Sequence, residues 1–261
     1  MANHERIKLP IVLNYKFRKP DPRDYKLVVS PSNNSTKATV TIFNVVNPTS
    51  INVLNQGNIG SCVSNSFSQY ISMMTSKNVN ISRLMHYYCG RSIEGSSSTE
   101  DTGLDIRQAA KIISRYGAVA ETHWPYLTSN FSILPPLNVF QKSLYFKKYI
   151  YTFVNQDINS IKNVLNVIKL PIIFGIMVYD SFMTNSVANT GIIPMPNVNT
   201  ETLQGGHCIV MIGYNDTTQM FLCVNSWGIS WGQKGLFYIP YAYVLSKTLS
   251  ADLCYLTFIY S

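Results

Sequence analysis

The chain of 261 residues predicts an α+β fold in which a helical lobe precedes a β-rich lobe. Helical periodicity dominates the first part of the main domain, and short apolar runs with strand character dominate the rest. Residues 1–50 differ from both, because "RKPDPRDYKL" is basic and broken by prolines and "SPSNNSTKA" has the composition of a loop. We therefore expect an N-terminal extension over 1–50 and one domain over 51–261, with lobes at about 51–150 and 151–261.

Three helices are predicted from the spacing of apolar residues. The first begins at Cys62, and its apolar face consists of Val63, Phe67, Tyr70, Ile71 and Met74. The second covers Ile106 to Ile113, with Asp105 as its N-cap and Gly117 just past its end. The third follows Asp157 and is stopped by Pro171.

The β-rich lobe is predicted from four apolar runs in the second half of the chain. These runs are "PIIFGIMVY", "HCIVMIGY", "MFLCVNSW" and "GLFYIPY". They are short and rich in β-branched and aromatic residues, as strands are.

Composition excludes several functional classes. Hydrophobic residues make up 46% of the chain, yet no window of eighteen uninterrupted apolar residues occurs, so we expect no membrane span. The net charge of +8 comes from scattered Lys and Arg residues, so we expect no nucleic-acid partner. The first twenty residues lack the pattern of a secretory signal. We therefore expect an intracellular protein. The Asn-rich composition would suit a large DNA virus, and the location would then be the virion or the infected-cell cytoplasm.

The five cysteines are widely spaced, at positions 62, 89, 208, 223 and 254. No pair forms a C-x-x-C motif, so we predict no metal site, and the odd number leaves at least one thiol free or paired between chains. One disulfide among the last four stays open at this stage. The small number of cysteines favours a reducing compartment.

A predicted hairpin brings a histidine and an asparagine together. The runs around "GGHCIVMIGYNDTTQMFLCVNSWG" flank a turn at Asn215 to Thr217. A hairpin centred on Asp216 places His207 opposite Asn225, and a two-residue error in register would keep both on the same face. The asparagine oxygen can then fix one ring nitrogen of the histidine and leave the other free.

The stretch "NQGNIGSC" predicts a reactive cysteine. Cys62 at the start of a helix feels the positive end of the helix dipole, which favours an exposed thiolate. A cysteine, a histidine and an orienting polar group form a nucleophilic triad. The Gln56 amide and the Cys62 backbone N–H are suited to bind an oxyanion, and Gly57 and Gly60 allow the sharp turn and the approach of substrate.

Three blocks, "QGNIGSC", "GGHCIVMIGY" and "NSWGISWGQKGLFYIPYAYV", resemble the signature blocks of papain-like (cathepsin-type) cysteine peptidases. The 145 residues between Cys62 and His207 fit the spacing of that family. The segments "SRLMHYYCGRSIE", "EDTGLDIRQAAKII" and "YGAVAETHWPY" resemble its signal-less bacterial and viral branch. The resemblance runs from about residue 50 to 245.

The resemblance implies a papain-like fold, with a cleft between a helical left lobe and a β-rich right lobe. It assigns Cys62 as nucleophile, His207 as base and acid, Asn225 as orienter and Gln56 to the oxyanion hole. Trp227 would shield the bond between histidine and asparagine, and Trp231 would pack nearby. The residues expected to line the substrate cleft are Gly103, Gly205, Gly206 and Cys208.

The chain departs from the family pattern in ways that modify this expectation. Ile59 replaces a disulfide-forming cysteine, and Val63 replaces the tryptophan that usually follows the nucleophile. The usual glycine pair of the cleft is not obvious, and Gly103 in "EDTGLD" is the best candidate for it. Cys208 replaces a small apolar residue, so we expect a pocket that accepts apolar side chains. No histidine-bearing occluding loop is visible, which favours an endopeptidase.

These features predict a thiol endopeptidase that forms a thioester acyl-enzyme on a protein or peptide substrate and needs no cofactor. The N-terminal arm is either an intramolecular inhibitor or a permanent part of the fold. Two alternatives remain: a catalytically silent binding protein of the same fold, and a specialised acyl-transfer enzyme or isopeptidase.

Overall fold

The computed structural model describes residues 10–19, 21–28, 42–75, 79–96, 98–143 and 149–258. The predicted extension over 1–50 is described in part, and the rest of it lies outside these ranges.

Seven α-helices are present in the described ranges. Their bounds are α1 Cys62–Met74, α2 Arg83–Ile93, α3 Ile106–Tyr116, α4 Leu137–Ser143, α5 Ile158–Lys162, α6 Asn185–Thr190 and α7 Tyr241–Leu245. Helix α5 continues as a π-helical segment, Asn163–Ile168, that ends at Lys169 in a left-handed conformation. Short 3₁₀ turns connect several of the other elements.

The three helices expected from the sequence are confirmed as α1, α3 and α5 with its continuation. Asp105 and Asp157 cap the helices that follow them, since each carboxylate accepts the backbone N–H three residues later. Gly117 ends α3 with a φ of +74°, which is favourable for glycine. Helix α2 was not predicted, and it begins at the Ser82 cap.

One antiparallel sheet forms the β-rich lobe. Its strands are β1 Ile42–Asn44, β2 Tyr149–Phe153, β3 Ile172–Tyr179, β4 Leu203–Asn215, β5 Met220–Val224, β6 Leu236–Pro240 and β7 Ser250–Phe258. The order is β2-β7-β3-β4-β5-β6, and β1 pairs separately with β4. The four predicted strands correspond to β3–β6. Strand β1 lies within the predicted N-terminal extension, so that part of the chain belongs to the sheet.

The predicted register of the β4–β5 hairpin is wrong. Tyr214 lies opposite Phe221 rather than Thr218, and the register shifts again between Met211 and Gly213. The turn is longer than expected because the Asn215 side chain accepts the N–H groups of both Thr217 and Thr218. His207 and Asn225 therefore lie diagonally across the two strands rather than directly opposite each other. They are still on the same face of the sheet and close enough to form a hydrogen bond.

Helix α1 packs across the sheet and sets the position of Cys62. Ser66 donates its hydroxyl to the Cys208 carbonyl at 2.9 Å, and Tyr70 bonds both the N–H and the carbonyl of Leu256. These contacts fix the start of α1 against the middle of β4. None of the helices in the described residues is long and apolar enough to cross a membrane.

Candidate active site

Cys62 is the first residue of α1 and is fully buried. The loop before it is held by Asp101, whose carboxylate oxygens accept the Gly60 N–H at 2.8 and 2.9 Å. Gly57 has a φ of +64°, which allows the loop to turn before the helix starts. The position of Cys62 at a helix start agrees with the sequence prediction.

His207 on β4 bonds to Asn225 just beyond β5. The ring Nε2 and the Asn225 Oδ1 are 2.8 Å apart, and the same oxygen accepts the Ser226 N–H. The His207 Nδ1 has no hydrogen-bond partner among the described residues. Trp227 lies beside the imidazole with ring centroids 4.8 Å apart, and Trp231 contacts Trp227 edge-on at 5.0 Å.

Gln56 is held next to this pair by the residue that follows Asn225. Its Oε1 accepts the Ser226 hydroxyl at 2.8 Å, and its backbone N–H donates to the Ser226 carbonyl. Its Nε2 donates to the Ile59 carbonyl and to the Val12 carbonyl, at 3.1 and 2.9 Å. One amide hydrogen is thus held by the loop that precedes Cys62, and the other is directed to the backbone of the N-terminal segment.

A second network, not foreseen from the sequence, supports the loop below Gln56. The Tyr126 hydroxyl donates to the Gln56 carbonyl at 2.8 Å and lies 2.5 Å from the Ser61 hydroxyl. The Arg83 guanidinium lies 3.6 Å from the Tyr126 ring centroid and pairs with both carboxylate oxygens of Glu121. These residues lie in the segments "SRLMHYYC" and "ETHWPY". The resemblance of these segments to family segments is the sequence feature from which a role near the site could have been predicted.

The N-terminal arm, residues 10–19, lies in the cleft. Tyr15 donates its backbone N–H to the Gly206 carbonyl at 3.0 Å, directly before His207. Lys16 donates its backbone N–H to the Leu104 carbonyl at 3.0 Å. The Val12 carbonyl also accepts a hydrogen bond from the Gln56 amide. The arm backbone therefore contacts the segments that contain Gln56, Leu104 and Gly206.

The glycines predicted to line the cleft are the residues that the arm touches. A Cβ atom at Gly103 would lie 1.7 Å from the Asn14 carbonyl oxygen, and one at Gly206 would lie 2.3 Å from the Tyr15 oxygen. A Cβ atom at Gly205 would lie 2.8 Å from Leu13. The absence of side chains at these three positions is therefore what lets a peptide backbone enter.

Ion pairs hold the arm to the helical lobe. Lys16 pairs with Glu94 at 2.8 Å, and Arg18 pairs with Asp105 at 2.6 Å. The two acidic side chains are almost fully buried, at 3% and 1% exposed. Further along the chain Asp24 pairs with Arg107 of α3 at 2.5 Å.

Burial affects the pKa values of both Cys62 and His207. Burial raises the pKa of the Cys62 thiol to about 11, against smaller opposing effects from backbone N–H groups of Cys208, Val63 and Asn14. Burial likewise lowers the pKa of His207 to about 4, although Asn225 opposes this change. The expectation of an exposed, ionised Cys62 is therefore wrong for this arrangement, because the arm excludes water from the cleft.

All five cysteines are free thiols, so the disulfide left open by the sequence does not form.

Comparison with known proteins places this chain in a family. Residues 44–250 match the model of the papain family of cysteine proteases. A peptidase C1-like protein of Acanthamoeba polyphaga mimivirus is 34% identical over 218 residues, which are 78% of this chain and 69% of that protein.

Solved structures agree with the family match. Xylellain, a cysteine protease from Xylella fastidiosa, superposes with a TM-score of 0.85 at 28% identity over 100% of both chains. Digestive procathepsin L 3 of Tenebrio molitor shares the fold, with a TM-score of 0.64 at 19% identity over 90% of this chain and 74% of its own. The two-lobed fold expected from the sequence is confirmed. The chain belongs to the papain family of cysteine proteases.

Proposed function

We propose that the chain is a cysteine endopeptidase that cleaves peptide bonds through Cys62, His207 and Asn225. One observation carries the proposal: a peptide backbone already occupies the cleft, with its Val12 carbonyl oxygen bound to the Gln56 amide. The same backbone pairs with Gly206, the residue before His207. A substrate strand would use these same groups.

The chemistry follows from the hydrogen bonds of His207. Because Nε2 is engaged by Asn225, the Nδ1 is the nitrogen left to take the Cys62 proton. The thiolate sulfur then bonds the substrate carbonyl carbon, and the carbonyl electron pair moves to oxygen. The Gln56 amide and the Cys62 N–H stabilise this oxyanion.

Collapse of the tetrahedral intermediate breaks the C–N bond, and the protonated His207 gives its proton to the departing amine. The acyl group remains on sulfur as a thioester. His207 then removes a proton from water, which attacks the thioester, and the thiolate leaves. Asn225 keeps the imidazole oriented throughout, and Trp227 shields their bond from water.

The arm acts as an intramolecular inhibitor in this proposal. It occupies the Gln56 amide, the Gly206 carbonyl and the Leu104 carbonyl, so a substrate cannot reach them at the same time. It also holds Cys62 as a neutral thiol beside a neutral imidazole. The ion pairs of Lys16 and Arg18 favour this closed arrangement.

A charge-reversed full-length chain tests the proposal. Lys16→Glu with Arg18→Glu places like charges opposite Glu94 and Asp105, and we call this protein the arm-release variant. Arg23→Glu is the matched control, because Arg23 pairs with Asp21 of the same segment and is 86% exposed. The measurements are the rate of Cys62 labelling by iodoacetamide, read by peptide mapping, and the turnover of a mixed peptide library.

We expect faster labelling and new hydrolysis in the arm-release variant, no gain in Arg23→Glu, and no hydrolysis when Cys62→Ala is added. Fast labelling of Cys62 without hydrolysis would overturn the endopeptidase and favour a silent binding protein or an acyl-transfer specialist. Full hydrolysis by the unaltered chain, with no gain on release, would overturn the inhibitory role of the arm.

A further inference from the structure

One arm side chain fills a closed space beside the candidate site. Tyr15 is 4% exposed, and its side chain belongs to the main hydrophobic core although the residue comes from the arm. Its ring covers Gly175 of β3, where a Cβ atom would lie 1.9 Å from the Tyr15 Cε1. Gly175 is paired with Cys208 of β4, which follows His207. We call the space that this ring occupies the Tyr15 pocket.

The walls and the end of the Tyr15 pocket differ in chemistry. Gly175 and Cys208 form apolar walls, and burial, Asp252 and the Cys208 thiol all raise the pKa of the phenol. At the end, the Tyr15 hydroxyl donates to the Asp252 carboxylate at 2.5 Å. The sequence predicted an apolar-accepting pocket from Cys208, and it did not foresee the carboxylate, which comes from β7, 44 residues later.

Asp252 depends on the arm for its hydrogen bonds. Burial raises its pKa, while the Tyr15 hydroxyl, Arg107 and the Arg18 backbone N–H oppose that rise. When the arm leaves, the carboxylate loses both the hydroxyl and the Arg18 N–H. A partly buried carboxylate without donors is costly, so the open pocket favours a ligand that replaces them.

We propose that Asp252 makes the Tyr15 pocket select a tyrosine side chain of the substrate. This inference rests on the proposed function. The pocket has space for an aromatic ring beside Gly175, and the Asp252 carboxylate at its end can accept a hydrogen bond from a phenol hydroxyl. Phenylalanine fills the space but leaves Asp252 without a donor, and leucine is too short to reach it.

The pocket suits a neutral hydrogen-bond donor, such as a phenol, better than a cationic side chain, because the positive charge of Arg107 already stabilises the Asp252 carboxylate. Arg107 contributes favourably to the charged form of Asp252, and its own ion pair is with Asp24, which lies beyond the arm. The guanidinium therefore stays beside the pocket when the arm leaves. A substrate arginine or lysine would have to lose its water next to this like charge.

Electrophilic peptides provide the test, with full-length proteins throughout. Vinyl sulfone peptides are prepared with Tyr, Phe, Leu or Arg as the residue preceding the electrophilic one. Rate constants for labelling Cys62 are measured by intact mass in the arm-release variant. We expect the Tyr probe to react about 10- to 100-fold faster than the Phe probe, as is typical of one lost bond to a charged acceptor.

Asp252→Gly, added to the arm-release variant, removes the acceptor. Glycine suits the position because Asp252 has a φ of +57°. Gln219→Gly is the matched control, since Gln219 has a φ of +55° and lies in the exposed β4–β5 turn. We expect Asp252→Gly to bring the Tyr and Phe rates together while iodoacetamide labelling stays constant, and Gln219→Gly to leave the Tyr preference intact.

The outcomes separate this inference from the proposed function. Equal rates for Tyr, Phe and Leu, a fastest reaction with Arg, or a Tyr preference that survives Asp252→Gly would each overturn the pocket assignment. Failure of every probe, together with slow iodoacetamide labelling of Cys62, would instead overturn the proposed function.

Discussion

His207 and His86 are both buried and both neutral, yet their surroundings differ in kind. In each ring Nε2 has a partner, an Asn225 oxygen for His207 and the Ala109 carbonyl for His86, and Nδ1 has none among the described residues. Burial lowers the pKa of each to about 4. His86 is enclosed by α1 and α3, with the Phe67 ring centroid 5.2 Å away. His207 lies in a cleft covered by the arm.

Burial alone therefore does not distinguish a core histidine from a candidate catalytic one. What distinguishes them is whether the covering segment can leave without unfolding the domain. The arm is attached through a few backbone hydrogen bonds, ion pairs and the buried Tyr15 side chain, whereas α1 and α3 form the core of the helical lobe.

The largest expected difference between the two histidines is in turnover. In the arm-release variant, His207→Gln should lower kcat by about 10⁴-fold, because the proton acceptor for Cys62 is lost. His86→Gln should leave the kcat of folded molecules unchanged and lower the midpoint of thermal unfolding. Peptide hydrolysis normalised to the concentration of folded protein measures the contrast. A comparable loss of kcat in both proteins would contradict it.

The second expected effect concerns two buried glutamines. Gln56→Ala should lower kcat by about 10²- to 10³-fold, which is typical for the loss of one oxyanion donor. Gln69→Ala is the matched control, since Gln69 is equally buried and its Oε1 accepts the Leu54 N–H at 2.9 Å near the same loop. Kinetics in the arm-release variant should show the loss for Gln56 only, with KM little changed. An equal effect of both substitutions would indicate a structural role for Gln56.

The parts of the site that depend on local chemistry were predictable. Cys62 at a helix start and the Asp105 cap follow from periodicity and capping over a few residues. The bond between His207 and Asn225 was predicted despite a wrong register, because a two-residue error keeps a pair on one face. The register was missed because two bonds to one asparagine side chain set the length of the turn.

The parts that depend on distant pairing were not predictable. The arm meets Leu104 and Gly206 through single backbone bonds, which leave no periodic pattern in the sequence. Asp252 reaches the Tyr15 pocket because β7 runs beside β3, and strand order cannot be inferred from the apolar runs alone. The burial of Cys62 depends in part on that same distant pairing.

The third prediction concerns the pH dependence of Cys62 labelling. In the unaltered chain the thiol has a pKa of about 11, because burial disfavours the thiolate, so labelling should rise about tenfold per pH unit between pH 7 and 10. In the arm-release variant water and the helix dipole reach the sulfur, and the rise should level off at lower pH. Initial iodoacetamide rates measure both profiles. Identical profiles would show that the arm does not control the thiol.

The smallest expected effect is on stability in acid, and it tests the comparison of histidines directly. A histidine whose pKa falls from 6.5 to about 4 on folding stabilises the fold above pH 6.5, and this contribution is lost as pH falls towards 4. Asp105 acts in the opposite direction, because burial raises its pKa to about 6, so its contribution is lost as pH rises through 6.

For His86 the loss between pH 6.5 and 4.5 amounts to about 2–3 kcal/mol, or roughly 5 °C in the unfolding midpoint. His86→Phe should therefore flatten the acid slope in the unaltered chain and in the arm-release variant alike. Substitution of His207 should flatten it only while the arm is in place, because an open cleft hydrates the imidazole. Thermal unfolding at the two pH values, in both backgrounds, distinguishes a histidine buried by the core from one buried by a removable segment. If His207 contributed equally to the acid slope with and without the arm, its burial would be due to the core of the domain and not to the arm.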